Sequence, residues 1–133
     1  MPHKIYLDTN VIVDIIDRAR LNHPEAKKLV SKLVKDDYKV YFSEDIISTI
    51  YYILRGNEAV LHFFKNAIQE WSVVPFGLDT INKSIEFSLK YKTDLEDTLQ
   101  CFCAKANGCN IFLTNDKKFI DCGINILTYD KFL

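Results

Sequence analysis

Acidic residues follow three short apolar runs in this chain. Ile5-Tyr6-Leu7 leads into Asp8, Val40-Tyr41-Phe42 leads through Ser43 into Glu44 and Asp45, and Ile111-Phe112-Leu113 leads through Thr114-Asn115 into Asp116. A fourth group, Asp94-Leu95-Glu96-Asp97, opens a segment with helical spacing. If the runs are parallel strands of one sheet, their ends share an edge, and open α/β sheets bind ligands at that edge. Carboxylates gathered there repel one another, and a cation or a shared proton relieves the repulsion. Hard divalent cations with oxygen ligands suit such a cluster.

Each acid also has an ordinary explanation. Asp8 can cap a helix beginning near Val11. Asp116 can be a turn residue before Lys117-Lys118, and Glu44 and Asp45 can be favourable first-turn charges. Thr93 with Glu96 matches a capping box, which accounts for Glu96 without any function. Asp97 is harder to dismiss. It lies one turn inside its helix, near Asp94 at i, i+3, while a stripe of Leu95, Leu99, Phe102 and Ala106 points elsewhere. Taken singly each acid is weak evidence; similar chemistry after several strands strengthens the case.

The elements that must position these acids alternate. Apolar spacing predicts helices over 11–20, from Pro24 to about Lys35, and from Ser43, as cap, to Gly56. Further helices are expected over 58–70, 78–91 and 94–107, the last stopped by Gly108. Their faces would carry Ala26, Leu29, Val30, Leu33 and Val34 in the second helix, and Ile81, Ile85 and Leu89 in the 78–91 helix. Strands are expected at 5–7, 40–42, 71–76, 110–113 and 124–127. Strands alternating with helices argue for an α/β fold, a mostly parallel sheet of about five strands with helices on both faces.

Bulk properties narrow the class. The chain has 133 residues, 48% of them hydrophobic, which fits one domain over 1–133 that needs neither disulfide nor structural metal to fold. No apolar run reaches membrane-spanning length. Met1-Pro2-His3-Lys4-Ile5 runs straight into the first strand, so no signal peptide is expected, and the protein reads as soluble and cytoplasmic. A net charge of −1 argues against gripping nucleic acid by bulk charge. It leaves open a metal-dependent nuclease, where bound cations restore the attraction to phosphate. Cys101, Cys103, Cys109 and Cys122 include no C-x-x-C pair and are expected to be small buried thiols. His3, His23 and His62 match no ligand spacing.

These residues resemble the PIN-domain family. Tyr6-Leu7-Asp8-Thr9-Asn10-Val11-Ile12-Val13-Asp14 is similar to its opening strand, Glu96-Asp97-Thr98-Leu99-Gln100 to its later acidic helix, and Ile111 through Phe119 to its last acidic strand end. Ile50-Tyr51-Tyr52-Ile53-Leu54-Arg55 resembles one subgroup. The resemblance implies a three-layer α/β/α fold and RNA cleavage dependent on Mg²⁺ or Mn²⁺, often by a toxin paired with an antitoxin protein. It maps metal-site acids onto Asp8, Asp97 and Asp116, an upstream acid onto Asp94, and supporting polar positions onto Asn10 and Thr114. It also implies a possible homodimer, for which the aromatic-rich stretch 50–64 could supply a surface; alternatively Tyr51, Tyr52, Phe63 and Phe64 pack within one subunit.

One departure stands out. The family's pattern places a Glu in the helix after the second strand, and that position falls near Thr49. Glu44 or Asp94 could substitute. The mechanism implied is metal-assisted hydrolysis of a phosphodiester, with the cation lowering the pKa of the attacking water and Lys117 and Lys118 available to the RNA backbone. The alternative is a PIN-fold module that binds RNA or an antitoxin without cutting, as the missing Glu would suggest. A phosphorelay receiver would need an Asp after the third strand, where Val74-Pro75-Phe76-Gly77 stands. A haloacid-dehalogenase-like phosphatase would need an Asp where Asn10 stands.

Overall fold

Ile5, Tyr6 and Leu7 are consecutive and all apolar because the strand they form is covered on both faces. The computed structural model describes residues 3–133; Met1 and Pro2, part of the N-terminal run considered above, lie outside the described residues. Strand β1 (Lys4–Leu7) is central in a five-stranded parallel sheet of order β3-β2-β1-β4-β5. Its neighbours are β2 (Lys39–Ser43) and β4 (Ile111–Leu113), flanked by β3 (Ser72–Val74) and β5 (Asn125–Leu127). The chain order is β1, α1 (Thr9–Ile16), α2 (His23–Lys35), β2, α3 (Asp45–Ile53), α4 (Glu58–Glu70), β3, α5 (Gly77–Tyr91), α6 (Leu95–Ala106), β4, β5 and α7 (Tyr129–Phe132). The register sets Leu7 beside Leu113, which aligns the carboxyl ends of β1 and β4.

Alternation along β1 divides the core. Ile5 and Leu7 join Val11, Ile12, Leu29, Ile46, Val60 and Phe64 on the side of α1–α4. Tyr6 points the other way, stacked on Phe112 at 5.3 Å and packed with Cys103 and Ala104 of α6. The three layers expected from the sequence are therefore present. No helix among the described residues is long and apolar enough to cross a membrane.

Several local expectations are corrected. The first helix ends at Ile16, not near residue 20, with Asp17 as its C-cap. Ser43 does not cap α3: it ends β2, and Glu44 takes the cap position without a side-chain bond. The Thr93/Glu96 capping box does not form. Asp94 is the cap of α6, its Oδ1 accepting from Asp97 N at 3.0 Å, while Thr93 joins a hydroxyl cluster with Ser88 and Thr98. Asp94, one residue beyond Thr93, competes for the same amides and is the better capping residue type.

Helical faces also differ. On α6 the buried residues are Thr98, Gln100, Cys101, Cys103 and Ala104; Leu95 and Ala106 are exposed, and Phe102 packs edge-on to Phe87 of α5. The apolar stripe thus leaves the deepest face to polar and thiol side chains. On α5 the buried residues are Thr80 and Ser84, whereas Ile85 and Leu89 are exposed. Val34 of α2 is exposed too. The aromatic stretch divides: Phe64 is buried against Phe42, Phe63 packs on Phe64 and Trp71, and Tyr52 is 86% exposed.

The cysteines are not all free thiols. Cys101 of α6 and Cys122 of the β4–β5 loop form a disulfide, leaving Cys103 and Cys109 as buried thiols. Burial pushes the Cys109 thiol up to about 12, which keeps it protonated.

Candidate metal centre

Asp8 follows β1 directly and is 7% exposed. Both carboxylate oxygens are held. Oδ1 accepts from Thr9 N at 2.8 Å, so Asp8 does cap α1, and Oδ2 accepts from Thr114 Oγ1 at 2.8 Å. Burial raises its pKa; the bonds from Thr114 and Thr9 oppose that, and the charge of Asp116 adds to it. Capping and participation in an acidic site are compatible, because each carboxylate oxygen has a second lone pair.

Thr114, buried at the end of β4, connects two acids. Besides donating to Asp8, its Oγ1 accepts from Asp116 N at 3.1 Å. Asp116 is exposed and closes a turn: Oδ1 accepts from Lys118 N at 2.9 Å and its carbonyl oxygen from Phe119 N at 3.1 Å. Lys117 and Lys118 are exposed on that turn.

Asp97 approaches from α6. It is half-buried, and its pKa is pushed up to about 6, first by burial and then by Asp94, Asp8, Asp116 and Glu96. Its neighbours place it among the strand-edge acids, as the i, i+3 pairing with Asp94 suggested. Glu96 is likewise raised by burial and then by Asp94, Asp45 and Asp8. The sequence counts Glu96 and Asp45 among the acids near the sheet edge but assigns neither to the metal site. Each had a complete local explanation, as a capping-box residue and as a first-turn charge. The signal available was adjacency: Glu96 precedes Asp97, and Asp45 stands two residues beyond the end of β2.

The remaining candidates lie further out. Asn10 is exposed, as is Glu44, whose charge is not among those that raise Asp8, Glu96 or Asp97. Thr49, near the family's Glu position, turns its hydroxyl back to donate to Asp45 O at 3.2 Å. Among the described residues, no three acidic, imidazole or thiol side chains are gathered tightly enough to hold an ion as they stand.

The donor set nevertheless suits a hard divalent cation. It consists of carboxylates, and every charge acting on Asp8, Glu96 and Asp97 is another carboxylate. Such a group lacks a compensating positive charge, and oxygen-coordinating cations supply one.

A parallel α/β/α sandwich with acids crowded at the carboxyl edge of its sheet is an architecture for cation-dependent work on anionic substrates. This chain belongs to the PIN-domain family, whose model matches residues 5–125. It is 37% identical over 133 residues to Ribonuclease VapC1 of Aquifex aeolicus, covering 97% of this chain and 92% of the relative. The fold is similar to that of Mycobacterium tuberculosis VapC20, a sarcin-ricin loop cleaving toxin, with TM-score 0.73 and 17% identity over 86% of this chain and 92% of the other. A toxin–antitoxin complex from Klebsiella pneumoniae gives TM-score 0.72 and 16% identity, covering 94% of this chain and 97% of the other.

Proposed function

We propose that this protein is a divalent-metal-dependent endoribonuclease, the toxin of a toxin–antitoxin pair, acting in the cytoplasm as one domain over residues 1–133. The observation that carries the reading is the approach of Asp8, Asp97 and Asp116, which come from β1, α6 and the β4 end: the charge of Asp116 adds to the raised pKa of Asp8, and the charges of Asp8 and Asp116 add to that of Asp97. Asp8, Asp97 and Asp116 would hold Mg²⁺ or Mn²⁺, with Asp94 capping α6 and adding charge. A bound ion of this kind supplies Lewis acidity toward the phosphodiester and lowers the pKa of the attacking water.

The chain's own residues do the rest. Thr114 fixes the Asp8 carboxylate and the Asp116 backbone with one hydroxyl. Asn10, exposed beside Asp8, is placed to meet substrate or solvent. Lys117 and Lys118, exposed beside Asp116, can contact RNA phosphates. A groove of about 580 Å³, lined by Ile16, Ile53, Leu54 and Ala59 together with Asp17, Arg18, Arg55 and Asn57, offers a mixed apolar and charged surface to an antitoxin segment. Tyr52 and its exposed neighbours offer a homodimer surface.

A second reading, a PIN-fold module that binds RNA or antitoxin without cutting, is favoured by the hydroxyl at Thr49 in place of an acid. One assay separates them: cleavage of mixed RNA with Mn²⁺, before and after Asp8→Asn. Cleavage by the parent chain that Asp8→Asn abolishes supports the nuclease. No cleavage by either supports the non-cutting module, and equal cleavage by both removes Asp8 from the chemistry.

A further inference from the structure

Two side chains of α6 hold the same loop residue. Cys101 is bonded to Cys122 through sulfur, and Lys105 Nζ donates to the Cys122 carbonyl oxygen at 2.7 Å. Cys101 and Lys105 are four positions apart, so they stand one turn from each other on one helix face. Gly123 completes the junction. Its φ is +94°, which favours glycine, and a Cβ there would stand 3.4 Å from Lys105 Nζ.

The same helix face leads to the acidic edge. Asp97 precedes Cys101 by four positions, so residues 97, 101 and 105 form one row. Cys122 lies in residues 114–124, which join β4 to β5 without helix or strand. That loop also carries Asp116, Lys117 and Lys118. Its near end is tied down by Thr114 on Asp8 and by Asn115 Oδ1, which accepts from Tyr129 N. Phe119 packs on Phe112 at 4.5 Å in its middle, and the junction with α6 holds its far end. The bridge is a covalent link between the helix that carries Asp97 and the loop that carries Asp116.

A bridge in this place is exposed to redox chemistry. The cytoplasm proposed above keeps thiols reduced, and disulfides found in such a compartment characteristically open and close. Cys122 is the more accessible partner, 7% exposed against 0% for Cys101. Cys103 and Cys109 are buried, which keeps both protonated, and the thiolate is the attacking species, so an external dithiol is the reductant. Its first thiolate attacks Cys122 Sγ and Cys101 leaves as thiolate. Its second thiolate then displaces Cys122, each cysteine takes up one proton, and the reductant becomes a disulfide. Closure uses glutathione disulfide. One cysteine thiolate displaces a glutathione thiolate, and the other cysteine thiolate displaces the second.

We propose that the Cys101–Cys122 bridge is a redox switch: closed, it clamps the Asp116 loop to α6 and keeps Asp97 and Asp116 at one site; open, it releases the loop and weakens cation binding. The inference rests on the metal-dependent reading above. Oxidation is then the activating condition and reduction the silencing one.

The test uses the full chain poised in mixtures of glutathione and glutathione disulfide, or opened with a dithiol. Alkylation with mass spectrometry counts free thiols, and circular dichroism confirms folding. Two properties are read: amide hydrogen exchange over residues 114–124 without metal, and calorimetric titration with Mn²⁺ alone. Opening the bridge is expected to speed exchange in that loop and to weaken Mn²⁺ binding about 10–100-fold, the range for groups that orient metal ligands. Cys122→Ser should show the open-state values at every poise. Equal Mn²⁺ affinity in the open and closed chain overturns the inference and leaves the metal centre standing. Loss of the fold on reduction overturns it too, because a switch needs both states folded, as does a chain whose four cysteines alkylate at every poise. Mn²⁺ binding in neither state overturns the metal-centre reading, and the exchange data then decide by themselves whether the bridge controls the loop.

Discussion

Thr114 Oγ1 donates to Asp8 Oδ2 at 2.8 Å, joining residues 106 positions apart across the β1–β4 seam. The bond is buried and charge-assisted, and the same oxygen accepts from Asp116 N. One hydroxyl therefore coordinates two acids that the chain brings from opposite ends of its length. Thr114→Val keeps the shape and removes both contacts. It is expected to cost about 1–3 kcal/mol of stability in chemical denaturation and to weaken Mn²⁺ binding about 10–100-fold.

The pH response follows from Asp97. Its pKa is raised from 3.8 to about 6, so its unionised form is favoured by the fold. In metal-free protein this contributes stability that is complete below the unfolded value of 3.8 and is lost as pH rises through about 6. Metal binding has the opposite trend, because the cation needs the ionised carboxylate. Mn²⁺ affinity, measured by calorimetry, is expected to fall as pH drops below about 6 and to level off above it. Asp97→Asn should flatten the stability trend in that window.

Removing a charge from the crowded edge should help folding while harming function. Asp8 is buried among like charges, and burial opposes its ionisation. Asp8→Asn is expected to abolish metal-dependent RNA cleavage yet leave the metal-free melting temperature equal or higher. A loss of several degrees would show that Asp8's cap and its bond from Thr114 outweigh the repulsion.

The disulfide ties the helix carrying Asp97 to the loop after Asp116. Cys101 and Cys122 are separated by 21 residues, and closing a loop of that size stabilises by about 3 kcal/mol in the chain-entropy model. Lys105 Nζ reinforces the junction by donating to Cys122 O at 2.7 Å. Cys122→Ser, or the parent chain in reductant, should unfold at lower urea concentration. Unchanged midpoints with and without reductant would remove the bridge from the stability account.

At the other end of the sheet edge, Asp14 is buried and accepts from Tyr129 Oη at 2.9 Å and Arg20 Nε at 3.0 Å. Tyr129 N in turn donates to Asn115 Oδ1 at 3.1 Å, which holds α7 against the end of β4. Burial raises the Tyr129 pKa, with the Asp14 carboxylate adding to it. Tyr129→Phe should destabilise by about 1–3 kcal/mol because a buried carboxylate loses a donor. Denaturant unfolding measures the loss.

Much of this was legible in the chain itself. Apolar runs at 5–7, 40–42 and 111–113 and helical spacing between them determined the alternation and the parallel sheet, since both depend on periodicity within a few residues. The Asp after each run followed from that order. Short elements such as α7, and the exact cap at Asp94 rather than Thr93, escaped because a single turn carries no period and adjacent polar residues offer the same caps. Tertiary structure alone decided that Glu96 comes under the charges of Asp45 and Asp8, that Cys101 meets Cys122, and that the deepest face of α6 is lined by Gln100 and Cys103 instead of Leu95 and Leu99. These are pairings between segments distant in sequence. Their energies come from burial, charge and hydrogen bonding, which act only once the chain has brought those groups into contact.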